Sequence, residues 1–185
     1  MQQLVKLGLR PQEYIDQNHH QGVPGPDVCI RCGKSGSYWA LGYYSRYVNE
    51  PSLNSVLMIL VRRFRYTICN LTVSMLPDFC QPYRLLSSDT IENYVKGDDT
   101  SLDILSYENL LKKYMKDFAH FLPQLRQEIG NGLGRAPPDL APGHWWLFLL
   151  GACEGLRTTT RVLTKTFRIS LFKIYRCHQC CQKHS

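Results

Sequence analysis

The sequence lacks the long apolar run that a membrane-spanning helix requires, because no part of its 185 residues approaches about 18 consecutive apolar side chains. The first ten residues carry Lys6 and Arg10 and contain no continuous apolar segment, so no secretory signal is predicted. We therefore expect a cytoplasmic protein that does not use a membrane as its partner.

The sequence also lacks the short motifs of common enzyme classes. It contains no glycine-rich phosphate loop, no H-E-x-x-H pair of metal-binding histidines and no G-x-S-x-G nucleophile turn. Beyond residue 118, only Glu128, Asp139 and Glu154 remain to serve a metal-dependent nuclease. We expect a non-catalytic protein without a small-molecule substrate.

Acidic residues are absent from residues 155–185, which carry seven of the 22 basic residues. The rest of the chain balances 15 basic residues against 15 acidic ones, so the tail accounts for the net charge of +7. A basic tail on a neutral body indicates a polyanionic partner, and we expect DNA ahead of a membrane surface. The alternative is a solvated basic face that only keeps the protein soluble.

Eight cysteines are present, and their spacing is typical of a metal site rather than of a disulfide framework. Cys29-Ile30-Arg31-Cys32-Gly33 follows a loop that begins with Pro24-Gly25-Pro26. Two thiolates separated by two residues hold one ion from a tight turn, and glycine lets the backbone curl around the metal. This segment therefore predicts one complete zinc knuckle.

A tetrahedral zinc site needs a second knuckle, and the sequence offers half of one. Residues 38–47 and 56–68 are rich in aromatic and β-branched side chains and predict two strands. The second strand ends in Tyr66-Thr67-Ile68-Cys69-Asn70, where Tyr66 stands at the first cysteine position. We predict zinc at Cys29, Cys32 and Cys69. The fourth ligand stays open between Cys80, Cys177 and Cys180, and the alternative is a ribbon held without metal by its aromatic strands.

The region after Tyr83 predicts three short helices. Ser87 and Ser88 can cap a helix through Val95 that stops at Gly97, Thr100–Leu105 suits a second helix, and Ser106 can cap a longer third one. Such a series is typical of a helix-turn-helix or of an ordinary three-helix bundle with a solvated lysine face. On the first interpretation the lysines bind phosphates and Asn109 reaches a base edge. The exposed face of the third helix would carry Tyr107, Asn109, Lys112, Lys113 and Lys116.

The last part of the chain predicts a linker followed by a basic helix. Residues 130–143 contain four glycines and three prolines. Residues 156–174 place apolar side chains on one helical face and four basic side chains beside them, a pattern suited to a phosphate backbone. The expected nucleic-acid ligands there are Arg157, Arg161, Lys165 and Arg168.

Several short motifs follow one another in order between residues 24 and 118. They are Cys29-x-x-Cys32-Gly33, Gly42-Tyr43-Tyr44-Ser45-Arg46, Arg63-Phe64-Arg65, Cys69 with Thr72 and Ser74, Leu76-Pro77-Asp78-Phe79, and Pro82-Tyr83. This series resembles a bacterial family of transposase-related proteins of unknown function. The resemblance implies a zinc ribbon followed by a helix-turn-helix. It also implies a cysteine where Tyr66 stands, so this chain departs from the family pattern at a ligand position.

These observations together predict an α+β fold in which a small degenerate zinc-ribbon β subdomain precedes a helix-turn-helix-like region and a basic C-terminal helix. We predict a non-catalytic DNA-binding protein related to mobile-element transposases. The alternative is a protein-interaction module, or a decayed remnant of a mobile-element gene, without DNA affinity. The predicted parts are an N-terminal helical extension (1–23), the zinc-ribbon-like β subdomain (24–83), the helical region (84–129), the Gly/Pro linker (130–143), and an apolar segment with the basic helix and its C-x-x-C (144–185).

Overall fold

A computed structural model of the chain describes residues 1–29, 35–50, 53–98 and 102–173, with side chains from residue 105 onward in the last range. Within these residues the fold is mixed α/β, with one four-stranded sheet and several helices. The sheet has the order β1-β4-β3-β2, with β1 parallel to β4 and the other neighbours antiparallel. Its strands are Gln2–Val5 (β1), Tyr38–Glu50 (β2), Ser55–Tyr66 (β3) and Thr72–Pro77 (β4).

The hairpin of β2 and β3 confirms the two strands that the sequence predicts. Aromatic and β-branched side chains fit the pleated surface, and cross-strand pairs such as Tyr47 with Met58 align them. The pairing register shifts between Ala40 and Gly42, where Gly42 takes a φ of +100°. That bulge occurs where glycine permits a backbone that other residues rarely adopt.

The N-terminal segment differs from the helical extension predicted for residues 1–23. Gln2–Val5 is a strand that pairs with β4, and only Pro11–Asp16 (α1) and a 3₁₀ turn at His19–Gln21 are helical. The sequence did not predict this strand, because it is only four residues long and its partner strand lies about 70 positions further along the chain. The side chain of Asp78 fixes the exit of β1 by accepting hydrogen bonds from the backbone N–H groups of Leu7 and Gly8.

The first helix after the sheet confirms the capping signals in the sequence. Ser88–Lys96 (α2) begins at Ser87, whose hydroxyl oxygen accepts the N–H of Thr90 at 3.2 Å. It ends at Gly97, which takes a left-handed φ of +79°. Serine satisfies an orphan N–H at a helix start, and glycine tolerates the left-handed turn at a helix end.

The prediction of separate second and third helices is wrong. One helix, Leu102–Leu133 (α3), runs through Ser106 and continues into the predicted linker. Ser106 does not begin a helix, and its hydroxyl contacts Asn54 in the hairpin loop. From Leu111 onward a buried apolar stripe stabilises the helix and accounts for its continuation into the predicted linker. That stripe consists of Leu111, Tyr114, Phe118, Phe121, Leu122, Leu125 and Ile129.

The C-terminal part also differs from the single long helix predicted for residues 156–174. Pro142–Cys153 (α4) is followed by Leu156–Val162 (α5) and a π-helical turn at Leu163–Phe167. The helical path ends at Arg168, which takes a left-handed φ of +57°. Residue 174 and the C-terminal C-x-x-C lie outside the described residues.

Two apolar cores meet through a layer of buried polar side chains. One core lies among the helices and contains Trp145 and Phe118, and the other lies around the sheet and contains Phe79 and Val61. Between them, Gln81 donates from its amide nitrogen to Ser88 and Thr160, both at 2.9 Å. None of the helices in the described part of the chain is long and apolar enough to cross a bilayer.

Candidate nucleic-acid and metal sites

Two turns meet at the end of the hairpin, where the sequence predicts zinc knuckles. The first turn is bounded by a backbone bridge between Val28 and Ser35, and the second is closed by the N–H of Tyr66, which donates to Leu71 at 2.9 Å. A hydrogen bond from the N–H of Thr67 to the carbonyl of Ser37 joins the two turns. The chain therefore places the two cysteine-bearing turns side by side.

Two of the three predicted zinc ligands lie together in this place. The Sγ atoms of Cys29 and Cys69 are 3.3 Å apart, with Cys29 buried and Cys69 half-buried. Zinc–sulfur bonds of about 2.3 Å in a tetrahedral site separate two sulfurs by about 3.8 Å. A shift of about 0.5 Å would therefore let both thiolates hold one ion. Cys32 lies outside the described residues.

Tyr66 occupies the space beside these turns. Its side chain is fully buried, and its ring centroid lies 4.7 Å from that of Tyr38. Gly36 lies against the same ring, so a Cβ added at that position would approach Cε2 and Cζ of Tyr66 to 2.8 Å. The aromatic ring of Tyr66 thus fills the volume between Tyr38 and Gly36.

The fourth zinc ligand is not found among the described residues. They contain no group of three or more His, Cys, Asp or Glu side chains that could hold a metal, so Cys80 does not join Cys29 and Cys69. Cys80 lies in the sheet core, where burial raises its pKa to about 11. The other candidates, Cys177 and Cys180, lie outside the described residues.

The first half of α3 presents the predicted polar face except for Tyr107, which is half-buried and packs against the helical core. Asn109, Lys112, Lys113 and Lys116 are all exposed, whereas Leu111 on the opposite side is buried. Lys112 forms an ion pair with Glu108, four residues earlier, at 2.7 Å. A hydrogen bond to that carboxylate raises the pKa of Lys112. The face thus carries three cations and one carboxylate.

Arg157 is engaged inside the fold. Its Nε and Nη2 atoms donate to the two carboxylate oxygens of Asp89 at 2.9 and 2.5 Å, and its Nη1 donates to the carbonyl of Leu9 at 3.0 Å. This bidentate geometry fits the planar guanidinium. The residue predicted to bind phosphate therefore joins α5 to α2 and to the N-terminal segment.

The other three basic residues of this region do not share one open face. Lys165 is exposed, whereas Arg161 and Arg168 are half-buried. The π-helical turn adds an extra residue to the helical repeat, and the helix ends at Arg168. The helical path that carries these side chains therefore differs from the straight helix predicted for residues 156–174.

Sequence reasoning missed a depression of about 270 Å³ beside β2. Two of the short motifs converge there, because Tyr44, Ser45 and Arg46 come from one of them and Tyr83 from another. The order of the motifs along the chain was the available signal, but it did not show that they meet. The lining consists of Gln2, Tyr44, Ser45, Arg46, Tyr47, Tyr83 and Arg84.

Comparisons with known proteins add one similarity. Searches among curated proteins and among solved structures gave no match. Residues 29–114 are similar to the family described as Domain of unknown function (DUF6431), and this range holds Cys29, Cys69, β2 to β4, α2 and the lysine-bearing start of α3.

Proposed function

We propose that the protein is a non-catalytic DNA-binding module that contacts duplex DNA through the first half of α3. The observation that carries this proposal is the exposed face of Asn109, Lys112, Lys113 and Lys116 on a helix whose other side is anchored in the core. Lysines bind phosphates without reading sequence, and an asparagine can bind adenine in the major groove. Because the buried side of α3 packs against the core, the helix backbone that carries these groups is already ordered before DNA binds.

The arrangement of α2 and α3 supports a helix-turn-helix-like role. α2 ends at the left-handed Gly97, and α3 begins at Leu102 after a short connection. Ile91 of α2 and Leu111 of α3 belong to the same core cluster, so the two helices pack together. In proteins of this kind, the N-terminal residues of the second helix enter the major groove. The lysine face lies in that half of α3.

We include zinc in the proposal, held by Cys29, Cys32 and Cys69. The support is the 3.3 Å separation of the Cys29 and Cys69 sulfurs across the two joined turns. Bound zinc would cross-link the turns and so stabilise the end of the hairpin. The test is the zinc content of purified protein, which should fall on Cys69→Ala and stay unchanged on Cys153→Ala. Equal metal content in both variants would exclude this site.

Duplex binding is tested by fluorescence anisotropy at about 50 and about 200 mM salt. We expect Lys113→Ala/Lys116→Ala to weaken binding and to reduce the slope of log affinity against log salt by about two, or about one for each lost phosphate contact. The control, Lys6→Ala/Arg135→Ala, removes the same charge from exposed positions outside α2 and α3. Equal slopes for the two double variants would show that α3 is not the interface.

A second candidate function, a protein-interaction module, is favoured by the exposed face of the hairpin. Tyr47 and Met58 are cross-strand partners and are 61% and 56% exposed. Val56 and Leu60 lie on the same face and are also exposed. Contiguous exposed apolar side chains mark interaction surfaces. Absence of duplex affinity at about 150 mM salt would favour this function over DNA binding.

A further inference from the structure

The depression beside β2 combines aromatic rings with positive charge. Tyr44, Tyr47 and Tyr83 line it together with Arg46 and Arg84, and its lining contains no acidic residue. The Nζ atom of Lys173 lies 5.8 Å from the centre of the Tyr83 ring. Neither the zinc proposal nor the duplex proposal uses the residues that line this depression.

Tyr83 is held in an unusual position at the rim. It takes a left-handed φ of +60°, which is uncommon for a residue other than glycine, and its side chain is 55% exposed. A strained backbone at an exposed aromatic residue favours a functional interpretation, because burial of the ring does not account for it.

The loop that carries Tyr83 is fixed on both sides. The side-chain oxygen of Gln2 accepts the N–H of Tyr83 at 3.2 Å. Nη2 of Arg46 donates to the carbonyls of Gln81 and Arg84, which flank the tyrosine. The ring is therefore positioned before any ligand arrives, which lowers the entropy that binding would cost.

The charge around the ring remains largely uncompensated. Arg84 forms an ion pair with Asp117 at 3.0 Å and stacks on Tyr114 and Phe172. By contrast, neither Arg46 nor Lys173 forms an ion pair with the described residues. Burial raises the pKa of Tyr83, so its hydroxyl stays neutral near pH 7. A neutral aromatic ring can stack on a nucleic-acid base, and the two cations beside it can bind the adjoining phosphate.

We propose that this depression binds a nucleotide of single-stranded nucleic acid, with the base stacked on Tyr83 and the adjoining phosphate bound by Arg46 and Lys173. Stacking platforms beside cationic grooves bind single strands with little sequence preference, because every base has a π-face. This inference rests on the proposed function, because the partner is again nucleic acid. It differs in the residues that bind and in the form of the ligand, which is single-stranded here and duplex there.

The test compares a mixed-sequence oligonucleotide of about ten nucleotides with its duplex form, by anisotropy on the full chain. We expect Tyr83→Ala to weaken single-strand binding by about 5- to 150-fold, the range that corresponds to loss of one stacked base. Tyr83→Phe keeps the ring and should keep the affinity. Duplex affinity should not change in either variant.

A second variant tests the proposal independently if Tyr83→Ala folds poorly. Lys173→Ala leaves the loop intact and should reduce the salt slope of single-strand binding by about one. Unchanged single-strand affinity in Tyr83→Ala and an unchanged slope in Lys173→Ala would overturn this inference and leave duplex binding standing. Single-strand binding that depends on Tyr83, without any duplex binding, would support the depression and overturn the role of α3. If no variant weakens the binding of either single-stranded or duplex DNA, both assignments are wrong.

Discussion

Arg157 shows that a basic residue predicted to bind a ligand can instead stabilise the fold. Its guanidinium is bound on one side by Asp89 and on the other by a carbonyl of the N-terminal segment. The local pattern of residues 156–174 could not reveal this pair, because Asp89 lies 68 positions earlier. The exposed pair of Glu108 and Lys112 shows the contrasting case of a cation that stays at the surface.

We expect Asp89→Asn to lower the free energy of unfolding by about 1 to 2 kcal/mol, since a charged partner of a half-buried guanidinium is lost. Glu108→Gln is the matched control and should change it by less than about 0.5 kcal/mol, because that pair is exposed. Urea denaturation measures both. Equal effects would mean that the Arg157 pair contributes no more than a surface ion pair.

Cys80 gives the stability a dependence on alkaline pH. Its pKa is about 11 in the fold because burial opposes the thiolate, whereas an exposed thiol titrates near 8.5 to 9. Between these values the unfolded chain binds fewer protons than the folded one, so the free energy of unfolding falls as pH rises. Below about pH 8.5 the thiol is protonated in both states and has no such effect.

We therefore expect the wild-type protein to lose stability between about pH 9 and about pH 10 more steeply than Cys80→Ala. Burial raises the pKa of Tyr14 as well, but this contribution of burial is the same in the wild type and in Cys80→Ala, so the difference between their profiles isolates the thiol. Cys153→Ala, at a half-buried cysteine, should behave like the wild type. Parallel pH profiles for the wild type and Cys80→Ala would contradict the assignment.

At the scale of the elements, α3 continues past an exposed proline. Pro123 lies inside the helix, where it cannot donate an N–H and its ring opposes the regular path. The buried residues on either side, Leu122 and Leu125, keep the helix on the core despite that cost. Packing of the apolar stripe thus outweighs a local helix breaker.

We expect Pro123→Ala to raise the free energy of unfolding by about 1 to 3 kcal/mol, because it removes the clash and restores one backbone donor. Gln124→Ala, at the next exposed position, is the control and should have an effect within about 0.5 kcal/mol. Thermal and urea denaturation measure the difference. A lower stability of Pro123→Ala would contradict the interpretation that Pro123 destabilises α3.

The elements that could be predicted are those whose signals are local. Ser87 and Gly97 marked both ends of α2, and the aromatic and β-branched runs marked β2 and β3. β1 could not be recognised because its identity depends on a distant partner. The break predicted before Ser106 was wrong because a serine that could cap a helix can also lie within one, and the residues around it continue the same helix.

The candidate sites, like the elements, could be predicted where the signal is local and could not where it depends on distant residues. The cysteine spacing predicted that Cys29 and Cys69 belong together, and their sulfurs are in contact. The periodicity of α3 correctly predicted that Asn109 and the three lysines are exposed, but it was wrong for Tyr107, which is half-buried. The depression around Tyr83 could not be predicted, because Gln2, β2 and the loop after β4 meet only in the folded chain.

At the scale of the whole molecule, the sheet core and the helical core depend on the polar layer between them. Gln81 is fully buried, and its side chain joins the start of α2 to α5 through Ser88 and Thr160. Buried amide groups cost stability unless they are hydrogen-bonded. This residue therefore couples the two cores and makes their relative position specific.

We expect Gln81→Ala to lower the free energy of unfolding by about 1 to 3 kcal/mol, because it leaves buried hydroxyl groups without their amide partner. The change in tryptophan fluorescence on unfolding reports the helical core, because Trp145 and Trp146 are buried there whereas Trp39 of β2 is already exposed. Far-ultraviolet circular dichroism reports both halves. The two probes should give one coincident transition in the wild type. Separate transitions in the wild type would show that the cores unfold independently.

The parallel pairing of β1 with β4 has a consequence for biosynthesis. The ribosome makes Gln2–Val5 first, but Ser74 and its neighbours in β4 follow about 70 residues later. At bacterial or eukaryotic translation rates this delay is roughly 4 to 14 seconds. Until β4 has been synthesised, β1 lacks its partner strand, and the apolar side chain of Leu4 lacks its place in the sheet core. The strand synthesised first thus enters the sheet after strands synthesised later.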